Sequence, residues 1–134
     1  MVLLAISLLS SCNASRKSIV IEEGWDLIGE KMVDFVKDKD VIMVNSNNQY
    51  TDIRFRIEHK NIRLKDFAIV FQNGDRLTPV VEKNYIAGDE SKIIHLAMEG
   101  KFIRSINFNY RSKGSLFKGR ANVLVFGRRL KPYY

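Results

Sequence analysis

The feature that most constrains this chain is the alternation of apolar and polar positions over many short segments. Aromatic residues or isoleucine recur at every second position in Ile53–Ile57, Phe67–Phe71 and Ile106–Tyr110. Because successive side chains of a strand point to opposite faces of its sheet, this spacing is typical of half-buried β-strands. In Val123–Phe126 every position is apolar, which indicates a strand that is covered on both faces.

Shorter runs of similar character begin at Ile19 and bring the expected total to about nine short strands. These candidates are Ile19–Ile21, Trp25–Ile28, Met32–Val36, Val41–Val44, Leu77–Lys83 and Ile93–Leu96. No segment carries a convincing helical stripe. The nearest is Asp26–Lys37, and it is interrupted by Gly29 and by β-branched residues.

Turn-forming residues separate these runs. Asn73-Gly74, at the centre of Gln72–Asp75, readily takes positive φ angles and therefore predicts a hairpin with a type I′ turn. We expect further loops at Asn45–Asn48 and Ala87–Ser91. The 134 residues fit one domain, and short strands between frequent turns predict an all-β, antiparallel β-sandwich, of which the jelly roll is one form.

The amino terminus has the character of an export signal. Val2–Leu9 is an uncharged apolar run, too short to cross a bilayer as a helix but suited to the core of a signal peptide. Leu9-Ser10-Ser11-Cys12 resembles the bacterial lipobox, which implies attachment of diacylglycerol to Cys12, cleavage before it and acylation of the new amino terminus. Cys12 is the only cysteine, so no internal disulfide can form.

We therefore expect three parts in the chain. Residues 1–11 are a signal peptide of the lipoprotein type, residues 12–18 are the lipidated cysteine and a polar tether, and residues 19–134 are a single β-sandwich domain. The expected location is the bacterial cell envelope, anchored to a membrane by lipid on its periplasmic or surface side. No Lys or Arg opens the leader, which leaves two alternatives: a true start upstream of Met1, or a buried amino-terminal strand with a chance cysteine.

Several short segments of this chain occur in an order that resembles one protein family. They are Trp25–Gly29, Val33–Phe35, Phe71–Gly74, Ile103–Ser112, Gly119–Ala121 and Phe126–Arg128. In this order they resemble a family of small exported bacterial β-sandwich domains of unknown function. The resemblance implies the fold and the export, and it implies no activity and no catalytic residue.

Charge is concentrated at the carboxyl end. The formal net charge is +7, yet Lys101–Tyr134 carries +9 with no Asp or Glu, and the rest of the chain carries −2. Such a surface concentrates anions, and we expect the partner to be anionic lipid, a cell-wall polymer or an acidic protein. The candidate binding residues are Arg111, Lys113, Leu116, Phe117, Lys118, Arg120, Arg128, Arg129 and Lys131.

These candidate binding residues also have structural explanations that need no ligand. The basic residues could simply lie on the solvent-exposed faces of two strands. Leu116 and Phe117, at the centre of a loop with cationic flanks, could enter a membrane interface or could fold back to plug one end of the sandwich.

Residues for catalysis are scarce. His59 and His95 are isolated from each other and from metal-ligand patterns, and no G-x-S-x-G elbow is present. We expect no enzyme activity, no metal, no cofactor and no nucleic-acid partner, and the oligomeric state is open. Two alternatives remain. Exposed Trp25, Tyr50 and Tyr85 would indicate a carbohydrate-binding module, whereas a deep pocket that brings either histidine to a carboxylate would indicate an enzyme.

Overall fold

The computed structural model describes residues 21–33, 39–111 and 120–131, with only the backbone of Arg111. Within these ranges the chain forms nine β-strands and no helix. The strands are β1 Trp25–Val33, β2 Lys39–Met43, β3 Tyr50–Glu58, β4 Ile62–Phe71, β5 Arg76–Leu77, β6 Asn84–Tyr85, β7 Ile94–His95, β8 Ile103–Arg111 and β9 Ala121–Arg129.

The strands form two antiparallel sheets that pack face to face. Sheet A has the order β1-β9-β3-β7, and sheet B has the order β2-β8-β4-β5, with β6 pairing to the start of β4. Every strand pair is antiparallel. This arrangement confirms the predicted antiparallel β-sandwich.

The core lies between the two sheets and is filled by the alternating positions that the sequence indicated. Ile53, Phe55 and Ile57 of β3 are fully buried. Phe55 stacks on Phe67 of the opposite sheet with ring centroids 4.8 Å apart, and Tyr85 meets Phe55 edge-on at 5.1 Å. Aromatic pairs at these separations add to the free energy gained from burial alone.

Strand β9 is buried on both faces, as its uninterrupted apolar sequence predicted. Val123 and Val125 face the main core, whereas Leu124 and Phe126 form a second buried cluster with Trp25 on the outer face of sheet A. Two arginines of β3 cover this outer cluster. Arg54 lies 4.5 Å from the centre of the Trp25 ring, and Arg56 lies 5.0 Å from the centre of the Phe126 ring.

These two arginines are held in place by carboxylates. Arg54 donates to Glu22 at 3.0 Å, and Arg56 donates to Glu90 through two nitrogens at 2.7 and 2.9 Å. The hydrocarbon stems can therefore exclude water from Leu124 and Phe126 while the charged groups stay at the surface.

Strand β1 runs continuously where two separate strands were predicted. It extends through Gly29 with a register shift between Leu27 and Gly29. A Cβ atom at Gly29 would collide with the side chain of Ile42 on β2. The missing side chain thus lets the edge strands of the two sheets approach closely, and Gly29, read above as an interruption, is a contact point between sheets.

The predicted strand Leu77–Lys83 is wrong for most of its length. Only Arg76–Leu77 pairs as β5, and the chain then leaves the sheet at Pro79, which has no N–H to donate to a ladder. Val80 beyond it is fully exposed. The apolar character of this segment reflects side chains that lie over the edge of the core, including the half-buried Val81.

The hairpin between β4 and β5 is present, but its turn is not of type I′. Gly74 has φ +96°, whereas Asn73 does not share this positive angle. The amide of Gly74 donates to the carbonyl of Phe71 at 3.0 Å, and the amide of Phe71 donates to the carbonyl of Asp75 at 2.9 Å. This pattern fits a three-residue loop in which a left-handed glycine follows the turn.

Candidate functional site

Those predicted basic residues that the structure describes lie at two ends of the sandwich. Strand β9 has nine residues, so its ends lie about 26 Å apart at ~3.3 Å per residue. Arg120 precedes β9 and Arg111 ends β8, whereas Arg128, Arg129 and Lys131 lie at the opposite end. The described members of the set therefore lie in two groups, one near each end of β9.

Several predicted positions lie outside the described residues. They are Cys12 in the amino-terminal segment and Lys113, Leu116, Phe117 and Lys118 in the loop between β8 and β9. For these residues the anchor and the loop surface stay predictions.

The end of β9 lines an open cleft of about 1000 Å³. Its walls include Arg128, Arg129 and Lys131 together with Asp52 and His95. The exposed side chains of Met98 and Glu99 stand at its edge. The cleft thus gathers the three basic residues that the sequence placed at the end of the chain, and it adds a carboxylate and an imidazole that the sequence did not connect.

Asp52 is the structural centre of the cleft. Its position follows a register shift between Tyr50 and Asp52 in the pairing of β3 with β9. Only 6% of the residue is exposed, and it accepts three hydrogen bonds, from Thr51 Oγ1 at 2.7 Å, Arg128 Nε at 3.0 Å and His95 Nδ1 at 3.1 Å. Buried charge is tolerated when it is paired and hydrogen-bonded in this way.

The protonation of Asp52 follows from the balance of burial and hydrogen bonding. Burial alone would raise the pKa of this carboxyl, but the hydrogen bonds from Thr51, Arg128 and His95 together lower it below the usual value. Asp52 is therefore an anion at neutral pH, and it holds both partners in fixed orientations.

Arg128 is held from two sides. Its guanidinium lies 5.0 Å from the centre of the Trp25 ring while Nε bonds to Asp52. Among the described residues, the Arg128 guanidinium hydrogen-bonds only to Asp52, and it does so only through Nε. The two terminal nitrogens stay free to bind a ligand, and such a fork matches the two oxygens of a carboxylate or phosphate.

Arg129 is oriented by a second network beside the first. Its Nε lies 3.1 Å from Asp26 Oδ1, and the other oxygen of Asp26 accepts a hydrogen bond of 2.9 Å from the hydroxyl of buried Tyr50. The Tyr50 hydroxyl also lies 2.8 Å from Ser46 Oγ. Burial is the main reason that the pKa of Tyr50 is raised, so the hydroxyl stays protonated and remains a donor.

His95 faces the cleft, with 60% of its side chain exposed. Its Nδ1 is directed at the Asp52 carboxylate, which favours the tautomer that carries the proton on Nδ1. In that tautomer Nε2 is free to accept a hydrogen bond from a ligand or from water. The pair arises because β7 pairs with β3 and places His95 directly opposite Asp52. Since β7 has only two residues, no pattern in the sequence predicted this contact.

The other sequence candidates do not contribute to the cleft. His59 lies in the turn after β3 with φ +76°. The three aromatic residues suggested for carbohydrate binding, Trp25, Tyr50 and Tyr85, are all buried, so none can serve as an exposed stacking platform. Phe102 is the one exposed aromatic residue in the described part of the chain.

Two further properties concern the described ranges alone. Within them, no group of three or more His, Cys, Asp or Glu side chains could hold a metal ion. Nor do they contain a helix with the length and apolarity needed to span a membrane.

Fold and cleft together define the chain as a small antiparallel β-sandwich module with a basic cleft at one end. Residues 1–127 match the family described as "Domain of unknown function (DUF2541)", and the chain belongs to that family. Membership of a family of unknown function is thereby confirmed, and export stays a prediction. No curated protein matches this sequence significantly.

Two solved structures match this chain at low sequence identity. The first is AlgX of Pseudomonas aeruginosa, with a TM-score of 0.50 and 11% identity over 78% of this chain and 27% of that chain. The second is the SPBc2 prophage-derived protein YomS, with a TM-score of 0.41 and 13% identity over 82% of this chain and 98% of that chain. This chain thus spans about a quarter of the AlgX chain, and at 11% identity the likeness to AlgX concerns the fold alone.

The hydrogen bonds of Asp52 generate a prediction about stability and pH. Replacing the carboxylate in Asp52→Asn leaves Arg128 without its charged partner, and we expect a loss of about 1–3 kcal/mol in the free energy of unfolding at pH 7. Because the folded-state pKa of Asp52 is lowered, its contribution is complete above the unfolded-state pKa of about 4 and is lost as pH falls through the folded value. The difference between wild type and variant should therefore shrink in acid.

Denaturant unfolding at neutral pH and in acid measures both quantities. Glu99→Gln, which neutralises an exposed carboxylate at the same cleft, is the matched control and should change stability little. A constant difference between wild type and Asp52→Asn at both pH values would contradict this account of the carboxylate.

Proposed function

We propose that this protein is a lipid-anchored module of the bacterial cell envelope that binds an oxyanion-bearing ligand in the cleft at the end of β9, without catalysing a reaction. The observation that carries the proposal is the anchoring of two consecutive arginines. Arg128 is fixed through Nε by Asp52, and Arg129 is fixed through Nε by Asp26. Each guanidinium is therefore oriented before any ligand arrives, which reduces the entropy that binding must overcome.

The chemistry of the walls supports an anionic ligand. Each neighbouring carboxylate engages one arginine Nε, and the terminal nitrogens of Arg128 remain available to a carboxylate or phosphate. Lys131 adds an exposed cation at the rim. The open shape suits a repeating polymer or a headgroup presented by a surface, because neither needs to be enclosed. The shared chemistry is an oxyanion, and the source is either a soluble polyanion or an anionic lipid.

The anchor is supported by the amino-terminal sequence. The lipobox-like Leu9-Ser10-Ser11-Cys12 and the short apolar run before it are the basis for export and lipidation. Several acyl chains on one protein would hold it stably at a membrane, whereas one chain binds only marginally. Residues 12–18 would then connect the anchor to the sandwich.

The anchor is tested by labelling bacteria that express the full chain with an alkyne-tagged fatty acid. We expect the wild-type protein to carry label and to fractionate with membranes. Cys12→Ser should carry none, because only a thiol can form the thioether. Ser11→Ala retains a small residue before the cysteine and is the control that should keep the label. Equal labelling of wild type and Cys12→Ser would contradict lipidation at this residue.

Binding is tested by titrating the full chain with oligogalacturonate, with polyphosphate and with phosphatidylglycerol vesicles at low and high salt. Arg128→Gln with Lys131→Gln removes two charges from the cleft, and the amide introduced by Arg128→Gln can still donate a hydrogen bond to Asp52. We expect binding to weaken about tenfold to a hundredfold, as for the loss of charge-assisted hydrogen bonds, and salt to weaken wild-type binding.

A variant with the same change in charge separates the cleft from the loop. Lys113→Gln with Lys118→Gln should bind nearly as tightly as wild type. If this loop variant weakens binding as much as the cleft variant does, the charge of the whole protein controls binding and the proposed site is wrong. Binding to vesicles but to neither soluble polymer identifies the lipid headgroup as the source of the oxyanion.

The pairing of His95 with Asp52 favours a second candidate, an enzyme in which His95 is a general base. An imidazole oriented by a carboxylate can accept a proton from water through Nε2. Within the described residues, however, no hydroxyl or thiol hydrogen-bonds to His95, so no protein nucleophile accompanies it. Recovering the oligogalacturonate and polyphosphate after titration decides between the candidates, because an enzyme would return shortened products and a binding module would return them intact.

A further inference from the structure

The outer face of sheet B differs from the outer face of sheet A. Sheet A is closed there by Trp25, Leu124 and Phe126 beneath two arginines. Sheet B instead presents three cross-strand rows of mostly polar or small side chains. The rows are Lys39–Asn109–Asp66, Val41–Asn107–Ala68 and Met43–Ser105–Val70–Arg76. The two outer surfaces therefore have different chemistry.

The residue types in these rows are unfavourable for strands. Asn and Asp are depleted in β-strands because their side chains compete for nearby backbone groups. Yet β8 carries Asn107 and Asn109 at consecutive outward positions, and β4 carries Asp66 opposite Asn109. Both strands are central in sheet B. A sequence that departs from local propensity at the middle of a sheet points to a role other than folding.

Some polar atoms of this face form hydrogen bonds with one another, and others have no hydrogen-bond partner among the described residues. Asn109 Nδ2 donates to Asp66 Oδ2 at 3.0 Å, and Ser105 Oγ donates to Asn107 Oδ1 at 3.1 Å. Within the described residues, the amide nitrogen of Asn107, the amide oxygen of Asn109 and Oδ1 of Asp66 have no hydrogen-bond partner. These atoms present an amide donor and two acceptors in neighbouring rows.

A depression accompanies these groups. Ala68 lies opposite Asn107 and lines the depression, although the residue itself is buried. The depression has a volume of about 500 Å³, within the range of small-ligand sites. Its lining includes Asp66, Asn107 and Asn109, and it also holds three cations and a second carboxylate: Lys31, Lys39, Arg76 and Asp40. The exposed side chain of Val41 adds apolar surface to the polar groups.

We propose that this face is a second binding site, distinct from the β9 cleft, and that it takes a neutral glycan. Each sugar hydroxyl both donates and accepts, so adjacent hydroxyls pair with alternating amide and carboxylate groups. The exposed side chain of Val41 can contact the C–H face of a pyranose ring. Around the depression the charges of Asp40 and Asp66 largely offset those of Lys31, Lys39 and Arg76, which favours a neutral ligand and separates this ligand class from that of the cleft.

The test is a titration of the isotope-labelled full chain with cellohexaose, maltohexaose and chitohexaose, followed by NMR of the backbone amides. We expect at least one of them to shift the amides of Asp66, Ala68, Asn107 and Asn109 saturably at millimolar concentration, with those of His95 and Arg128 unchanged. Absence of saturable shifts with all three, or shifts confined to the cleft, overturns the proposal.

A matched pair of variants tests the assignment to this face. Asn107→Val replaces the central amide with a residue that strands favour, and the dissociation constant should rise at least tenfold. Because the change also removes the acceptor of the Ser105 hydroxyl, thermal unfolding is used to check that the variant is folded. Asn122→Val makes the same change on β9 of sheet A and should leave glycan binding unchanged. Equal weakening by the two variants overturns the proposal. Because the cleft residues are untouched, failure here is independent of anion binding by Arg128.

Discussion

Burial of β9 on both faces is the constraint on which the rest of the structure depends. The strand pairs along its length with β1 on one side and with β3 on the other, which satisfies its backbone. Its inward valines complete the core between the sheets, and its outward Leu124 and Phe126 need a cover of their own. Arg54 and Arg56 provide that cover with their stems, while Glu22 and Glu90 keep their charged groups in place.

The same strand determines where the cleft lies. As β9 reaches the end of sheet A its sequence changes from apolar to basic, and Arg128 comes opposite both Trp25 of β1 and Asp52 of β3. Asp52 is almost removed from water, so it must be fully hydrogen-bonded to remain charged. Its three donors are the reason that Arg128 and His95 hold defined orientations. The stability of this end of the sandwich and the proposed anion binding thus depend on one carboxylate.

The sequence predicted three of the long strands well, divided β1 in two, identified only the second half of β4, and predicted the shortest strands poorly. Strands β3, β8 and β9 are nine residues long, and their alternation or continuous apolarity extends over enough positions to identify them. Strands β5, β6 and β7 have two residues each, so no period can be seen in them. Pro79, which cannot donate to a strand ladder, was the sequence signal that the apolar run after Leu77 leaves the sheet.

The candidate site was predictable only in part for a related reason. The basic residues of the carboxyl end are visible as composition, but composition does not reveal that a nine-residue strand separates Arg120 from Arg128. The partnership of His95 with Asp52 joins residues that lie 43 positions apart, through a ladder of two residue pairs. Such long-range contacts depend on register, and one sequence alone does not fix the register of so short a strand.

We propose that an oxyanion binds between the arginines that Asp52 and Asp26 hold in place. NMR of the arginine Nε–H groups and backbone amides during addition of oligogalacturonate tests it most directly. We expect saturable shifts at Thr51, Asp52, His95 and Arg128–Lys131, with the signals of Arg120 and of β2 unchanged. Shifts centred on Arg111 and Arg120, or spread over every basic residue in proportion to exposure, would contradict it.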